Sequence, residues 1–265
     1  MIQLGVNTVL FKTFPLREAA QAIKLAGYDG MELSAIKGMC EHLDPENWKD
    51  QKSMILETAE EFGLKLLSTE VASLDADRLQ KAFAACRELG IPVVNVGPGG
   101  KMGEEETLKD SIANLMKLAA MAADYGVTLC CKAHVGAAIW NTETTLRAMA
   151  EIGGAGFGVD MDPSHIYRAG ENPQEALPPV LSRTRHIHIR DCKGRGPSPG
   201  EPGLQACGRG DIDLYGYFKA MVDGKYSGPV CLEVIGPEQT MTQASIIAAE
   251  SYGYMNACLK MLGAR

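Results

Sequence analysis

The sequence predicts a (β/α)8 barrel, and three observations carry that prediction. Short apolar runs alternate with longer helical stretches, and the alternation repeats eight times. The chain has 265 residues, about the length of one such barrel. No linker, low-complexity segment or shift of composition divides it, so residues 1–265 read as one barrel domain. Strict strand–helix alternation implies a parallel sheet, and eight units at this length favour closure over an open doubly wound sheet.

The strands are expected at 2–7, 29–34, 64–70, 92–97, 127–133, 156–161, 185–190 and 229–234. Helices are expected near 15–27, 49–62, 75–89, 104–125, 142–151, 173–181, 213–222 and 241–262. The first four helices each run into a glycine, Gly27, Gly63, Gly90 and Gly126. Glycine accepts the left-handed backbone that ends a helix at no steric cost.

Composition bounds the function. Apolar residues make up 46% and charged residues 22%, as in an ordinary soluble protein. The net charge is −7 and no cluster of five or more Lys/Arg occurs, which argues against nucleic acid as the main partner. The cysteines at 40, 86, 130, 131, 192, 207, 231 and 258 form no CxxC pair, and several sit in apolar runs. They read as buried free thiols of a reducing, cytoplasmic compartment rather than as disulfides or a zinc ribbon. The first residues, MIQLGVNTVLF, lack a basic leader and run into a strand pattern, so no signal peptide is expected. No apolar run is long enough to span a membrane.

Side chains alternate along a strand, so residues i and i+2 share a face. In the fifth strand Cys130, Lys132 and His134 oppose Leu129, Cys131 and Ala133. In the sixth, Gly158, Asp160 and Asp162 oppose Phe157, Val159 and Met161; in the seventh, His186, His188 and Arg190 oppose Ile187 and Ile189. In the eighth, Cys231 and Glu233 oppose Val230, Leu232 and Val234, and earlier strands add Asn7, Glu32, Glu70 and Asn95 to the polar set. The apolar face must meet the helices, so the polar face points into the barrel. Four of the five histidines (134, 165, 186 and 188) fall on these strands or just after them, while His42 lies in a loop and receives no role.

A barrel interior is normally filled by branched apolar side chains, and an unpaired buried charge costs several kcal/mol. Glu32, Asn95 and Asp160, lower in the strands, read equally well as satisfied core groups, and His186 as a packed histidine below the mouth. Asp162, His188 and Glu233 are different. Two carboxylates and an imidazole from three adjacent strands converge at the C-terminal face, a mix that suits a divalent metal.

The segments AAQAIKLAGYDGMELS, VDMDPSHIYRAGENP, RHIHIRDCKG, GRGDIDLYGY and GPVCLEVIG resemble the xylose isomerase-like barrels of the sugar phosphate isomerase/epimerase group. The resemblance covers nearly the whole chain. DPSH and HIHIRD, followed by a Glu that ends the last strand, are together specific, whereas each alone is weak. The resemblance implies that Asp162, His188 and Glu233 bind a divalent metal (Mn, Zn or Mg). It also implies that His165 lies beside the metal and contacts substrate or a metal-bound water.

One departure stands out. Members of this group usually end the fifth strand with a metal-binding Glu, often followed closely by a His; this chain reads LCCKAHVG, with Lys132 in the Glu position and His134 in the His position. A second Glu, six residues further on in the two-glutamate epimerases, is Ala138 here. Glu233 is therefore left without its glutamate partner. Lys132 could replace the metal as an ammonium, turn away from it, or lose its proton and act as a base. The intact Asp162, His188 and Glu233 positions favour a retained metal with a displaced lysine.

The expected activity is metal-assisted isomerisation or epimerisation of a small sugar or keto-sugar, with Glu233, Lys132, His165 and His134 as catalytic groups. Glu70, Trp140, Arg168, Arg190 and Arg209 are candidates to line the pocket, although Trp140 could be a packed loop aromatic and Arg190 could pair with Asp191 or cap the barrel rim. GRG at 208–210 is too short for a phosphate loop. The alternatives are a keto-sugar dehydratase or lyase, and a non-catalytic sugar-binding barrel that has lost its metal. Nucleic-acid processing, as in endonuclease IV-type relatives, is disfavoured by the acidic charge and the missing Glu. The expected partner is a small carbohydrate, with no nucleic acid or membrane, and with a homo-oligomer paired through the helices as a further option.

Overall fold

The computed structural model describes residues 1–265. The chain runs β1 (Gln3–Asn7), α1 (Leu16–Ala26), β2 (Gly30–Ile36), β3 (Cys40–Glu41), α2 (Trp48–Phe62), β4 (Lys65–Glu70), α3 (Ala76–Leu89), β5 (Val93–Val96) and α4 (Glu105–Asp124). It continues β6 (Thr128–Lys132), α5 (Thr142–Glu151), β7 (Phe157–Met161), α6 (Pro163–Arg168), α7 (Pro173–Val180), β8 (Thr184–Ile189), α8 (Leu214–Asp223), β9 (Pro229–Leu232) and α9 (Met241–Met261). β1 pairs in parallel with both β2 and β9, and the remaining long strands are parallel to their neighbours, so eight strands close into a barrel.

Every expected strand and helix is present, with boundaries agreeing to within two residues. Besides three short 3-10 turns (Thr8–Phe11, Leu181–Arg183 and Pro202–Gln205), two elements were not anticipated. β3 is a short antiparallel partner of β2 beyond the barrel rim. α6 starts directly after β7, where Asp162 caps it by accepting from the Ser164 backbone N–H and Pro163 takes the first helical position.

The outward strand face is apolar: Val6, Leu33, Val94, Leu129, Val159, Ile187 and Leu232 pack under the helices in one continuous core. The inner face is built in layers. The floor is small, because a Cβ on Gly5 would meet Leu67 Cδ1 at 2.7 Å and one on Gly30 would meet the Lys65 carbonyl at 2.4 Å. Leu67 thus fills the bottom of the barrel, at the irregularity where the β2–β4 register shifts. Above the floor come Glu32, Ser68, Asn95, Asp160, His186 and His188, all fully buried. At the top stand Asn7, Glu70, Lys132, Asp162, Arg190 and Glu233. All eight cysteines are buried and free, as expected. No helix is long and apolar enough to cross a membrane.

Candidate active site

The middle layer is a closed polar network. Asp160 Oδ1 faces His186 Nδ1 at 3.0 Å and accepts from the His188 backbone N–H at 3.0 Å; its Oδ2 lies 2.6 Å from His188 Nδ1. The other His188 nitrogen, Nε2, lies 2.6 Å from Glu32 Oε2, and Glu32 Oε1 accepts from Asn95 Nδ2 at 2.6 Å. His186 Nε2 meets Ser68 Oγ at 2.9 Å. Burial disfavours a charged His188, but Asp160 and Glu32 outweigh it and hold the ring well above the ordinary histidine range. His188 is therefore an imidazolium that donates from both nitrogens. His186 sits below the mouth, packed and hydrogen-bonded.

The top layer faces a cavity of about 470 Å³ at the C-terminal end of the strands. Lys132 Nζ donates to Glu70 Oε1 at 3.0 Å and to Glu233 Oε1 at 2.9 Å. Glu70 Oε2 accepts from Asn7 Nδ2 at 2.7 Å. Arg190 Nη2 donates to Asp162 Oδ2 at 2.7 Å and stands 3.3 Å from Glu233 Oε2, while its Nε donates to Ser164 Oγ at 2.8 Å. Glu233 Oε2 is buried and has no hydrogen-bond partner.

His165 is wedged between two arginines, with Nε2 2.9 Å from Arg190 Nη2 and Nδ1 2.9 Å from Arg168 Nη2. Burial holds its ring well below the ordinary range, so it is neutral. Arginine only donates, and a neutral imidazole accepts at one nitrogen, so one of these approaches is not a hydrogen bond. The His134 ring lies 3.9 Å from the His165 ring, centroid to centroid, and burial followed by Lys132 lowers its pKa too.

Glu70, Lys132, His134, His165, Arg168, Arg190 and Glu233 all line this cavity. Asp162 lies behind Arg190, and His188 lies one layer down. Trp140 is not among the lining residues; its backbone N–H donates to Thr144 at the start of α5. Arg209 pairs with Glu250 on the surface. Arg190 neither pairs with Asp191 nor caps the rim. Asp191 instead accepts from the backbone of Cys192, Gly208 and Ile212, fixing the loop that contains GRG. Ser164 was missed: its hydroxyl donates to Asp162 at 2.7 Å and accepts from Arg190. The Asp-Pro-Ser helix start would have pointed to it. Pro197 and Pro199, on the loop after β8, also line the cavity and carried no sequence signal.

Whether a divalent cation suits the expected ligands depends on which lone pairs are free. Three sets of side chains lie close enough to share an ion: Glu32, His186 and Cys231; Asp160, His186 and His188; Glu32, Glu70 and His188. The barrel thus contains groups able to hold a metal. Asp162, His188 and Glu233 are not one of these sets. Both Asp162 oxygens are taken, by Ser164 and Arg190. Both His188 nitrogens are taken, by Asp160 and Glu32. Only Glu233 keeps a free oxygen, and two cations flank it. These three side chains, as placed, do not fit a metal ion. The displaced lysine expected beside a retained metal is not found either, since Lys132 points inward with 5% of its side chain exposed.

Comparison with known proteins agrees with the fold. Residues 20–252 match the family model for xylose isomerase-like TIM barrels. An inosose dehydratase of Clostridium botulinum (strain Alaska E43 / Type E3) is 24% identical over 255 residues, covering 84% of this chain and 83% of the relative. An inosose dehydratase of Clostridium perfringens (strain 13 / Type A) is 27% identical over 143 residues, covering 49% of this chain and 48% of the relative. Among solved structures, an IOLI protein with a bound zinc atom superposes with a TM-score of 0.79 at 19% identity, covering 98% of both chains. A D-allulose 3-epimerase from Methylomonas sp. superposes at 0.77 with 18% identity, covering 97% of this chain and 98% of its own. At these identities the structural likeness speaks for the fold alone.

Proposed function

This chain belongs to the xylose isomerase-like TIM-barrel family, and we propose that it is an isomerase or epimerase that moves a proton beside the carbonyl of a small sugar or keto-sugar. One observation carries this reading. Glu233 lines the cavity with Oε1 anchored by Lys132 and with Oε2 buried, 3.3 Å from Arg190 but without a hydrogen-bond donor. A buried acceptor left unsatisfied costs free energy, and such groups in native structures call for a functional explanation. Burial pushes the Glu233 carboxyl up, but Lys132 and Arg190 outweigh it and hold it well below the usual range. It is therefore an ionised acceptor, positioned to take a proton from a bound C–H.

Glu233 Oε2 takes the proton from the carbon next to the carbonyl. His165 and His134, both neutral and both on the cavity wall, are the groups that return or relay it. Glu70 and Arg168 are placed to hold hydroxyls of the sugar. A proton returned to the opposite face of the same carbon gives an epimer; one returned to the neighbouring carbon gives an isomer. No step is routed through a metal, because the expected ligands do not fit one. The eight buried free thiols support a cytoplasmic setting.

A second reading, dehydration, is favoured by the names of the curated relatives. It shares the first step, after which a β-hydroxyl leaves as water with the proton that Glu233 took, delivered directly or relayed through His165. The purified protein, incubated in D2O with ketopentoses, ketohexoses and a ketoinositol, separates the readings by proton NMR. Deuterium beside the carbonyl with a new epimer or isomer supports the proposal. Loss of water to an unsaturated ketone supports the dehydratase. No exchange and no turnover with any of them sinks both.

A further inference from the structure

We propose that this site carries its own electrophile. Lys132 and Arg190 together stand in for a divalent ion and hold the carbonyl oxygen of the keto-sugar. The catalytic half of this proposal rests on the proton-transfer reading above; the ion-free half does not.

The argument begins with placement. Lys132 Nζ sits between Glu70 and Glu233 at 3.0 and 2.9 Å, and Arg190 Nη2 sits between Asp162 and Glu233 at 2.7 and 3.3 Å. None of these five side chains is more than 7% exposed. A divalent ion bound to Glu233 would lie about 2 Å from its oxygen, hard against both fixed cations. Like charges this close repel, and burial screens them poorly. Lys132 cannot swing out to make room without leaving Glu70 and Glu233 buried with no ammonium, which is the expensive way to break a buried pair.

The count of hydrogen-bond donors says what the cations are for. An ammonium has three N–H donors, and Lys132 spends two, on Glu70 and Glu233. Arg190 spends Nε on Ser164 and Nη2 on Asp162 and His165, leaving Nη1 with no partner in the chain. Both residues line the cavity. One ammonium N–H and one guanidinium nitrogen thus remain unspent on two residues that line the cavity and flank Glu233, and we assign them to the carbonyl oxygen. In the reaction, Glu233 takes the proton on a carboxylate lone pair, and the C–H electron pair left behind becomes the C=C bond of an enediolate. The carbonyl π pair moves onto oxygen, and the two charge-assisted donors stabilise that oxyanion. Return of the proton reverses the electron flow, and no oxidant, reductant or metal is consumed.

The test starts with the wild-type protein, soaked in Mn²⁺ or Zn²⁺, desalted and assayed for metal by mass spectrometry. The expected result is well under one ion per chain, with deuterium exchange into keto-sugar unchanged by a chelator. One tightly held ion per chain, lost in Glu233→Gln, overturns the proposal, as does exchange that requires added metal. Lys132→Glu, which removes the blocking charge and adds a carboxylate, is expected to bind one ion. Lys132→Met is expected to lower exchange at least ~100-fold while retaining the wild-type circular dichroism spectrum; exchange within about threefold of wild type overturns the electrophile role. If Lys132→Met does not fold, Lys132→Arg replaces it: the charge stays but the donors move, so kcat is expected to fall with KM little changed, and an unchanged kcat overturns the role. A wild type that holds no ion and exchanges no substrate proton removes the proton-transfer reading and the electrophile role with it, leaving the ion-free assignment standing. A wild type that exchanges protons and holds the ion at Glu233 does the reverse.

Discussion

Lys132 Nζ lies 2.9 Å from Glu233 Oε1, an ion pair that ties the end of β6 to the end of β9 inside the barrel mouth. The lysine side chain is 5% exposed and the glutamate side chain 0%. Pairs this deeply buried contribute little net stability compared with an apolar replacement of both partners, but losing one partner is costly.

Lys132→Met should therefore destabilise the fold by roughly 3–5 kcal/mol, because it leaves Glu233 and Glu70 in the barrel without their ammonium. The double variant Lys132→Met/Glu233→Gln should cost clearly less than the sum of the two singles. Urea unfolding of the four proteins measures this coupling. Strict additivity would show that the two side chains do not interact in solution.

Glu233→Gln keeps the shape and can still accept from Lys132, but it removes the proposed proton acceptor. Exchange of the substrate C–H should fall by about 10²–10⁴-fold, mainly in kcat, with a much smaller change in KM. Stopped-flow or NMR rates on any keto-sugar that turns over will show this. A loss confined to KM would make Glu233 a binding group.

Asp160 is the anchor of the layer beneath. It meets two imidazoles and one backbone N–H, and the two histidines hold it well below the ordinary carboxylate range despite burial. Asp160→Asn turns an acceptor oxygen into a donor that faces donors, and it leaves the His188 charge half-compensated. A loss of about 3–5 kcal/mol is expected, and at roughly 2–4 °C per kcal/mol that lowers Tm by about 10 °C. Calorimetry of the variant tests it, and a Tm within a degree or two of wild type would contradict the network.

The barrel was legible because its signals are local. Period-2 alternation sorts Asp160 and Asp162 from Val159 and Met161 without any knowledge of the partner strands, and glycine marks where helices stop. α6 was missed because Asp162 was read as a strand-end ligand, although Asp-Pro-Ser is a helix start. The place of Lys132 was not legible at all. It depends on Glu70 of β4 and on Glu233 just past β9, 62 and 101 residues away in the chain, meeting at one nitrogen. The engagement of His188 by Glu32 likewise spans 156 residues. Residue identity gave the set of ionisable groups, and only the closed barrel says which of them neutralise one another.

Glu70 supplies a pH dependence whose direction can be worked out. Burial, and then the charge of Glu233, pushes its carboxyl up from 4.5 to about 8. Between those two values the folded protein keeps a proton that the unfolded chain has released. The unfolded state then binds fewer protons, so stability falls as pH rises. The contribution is complete below the unfolded pKa and is lost as pH climbs through the folded one. Its slope approaches about 1.4 kcal/mol per pH unit in that window, for a total of a few kcal/mol. Glu233, held low by Lys132 and Arg190, acts in the opposite sense, but its contribution is lost only as pH falls below the unfolded value. The difference between wild type and Glu70→Gln therefore isolates Glu70. Wild type should lose about 2–4 kcal/mol relative to the variant between about pH 5 and pH 9, read from urea midpoints at fixed ionic strength. A flat difference across that range would mean that Glu70 is ionised throughout, and that Lys132 is held by two carboxylates rather than by one carboxylate and one carboxylic acid.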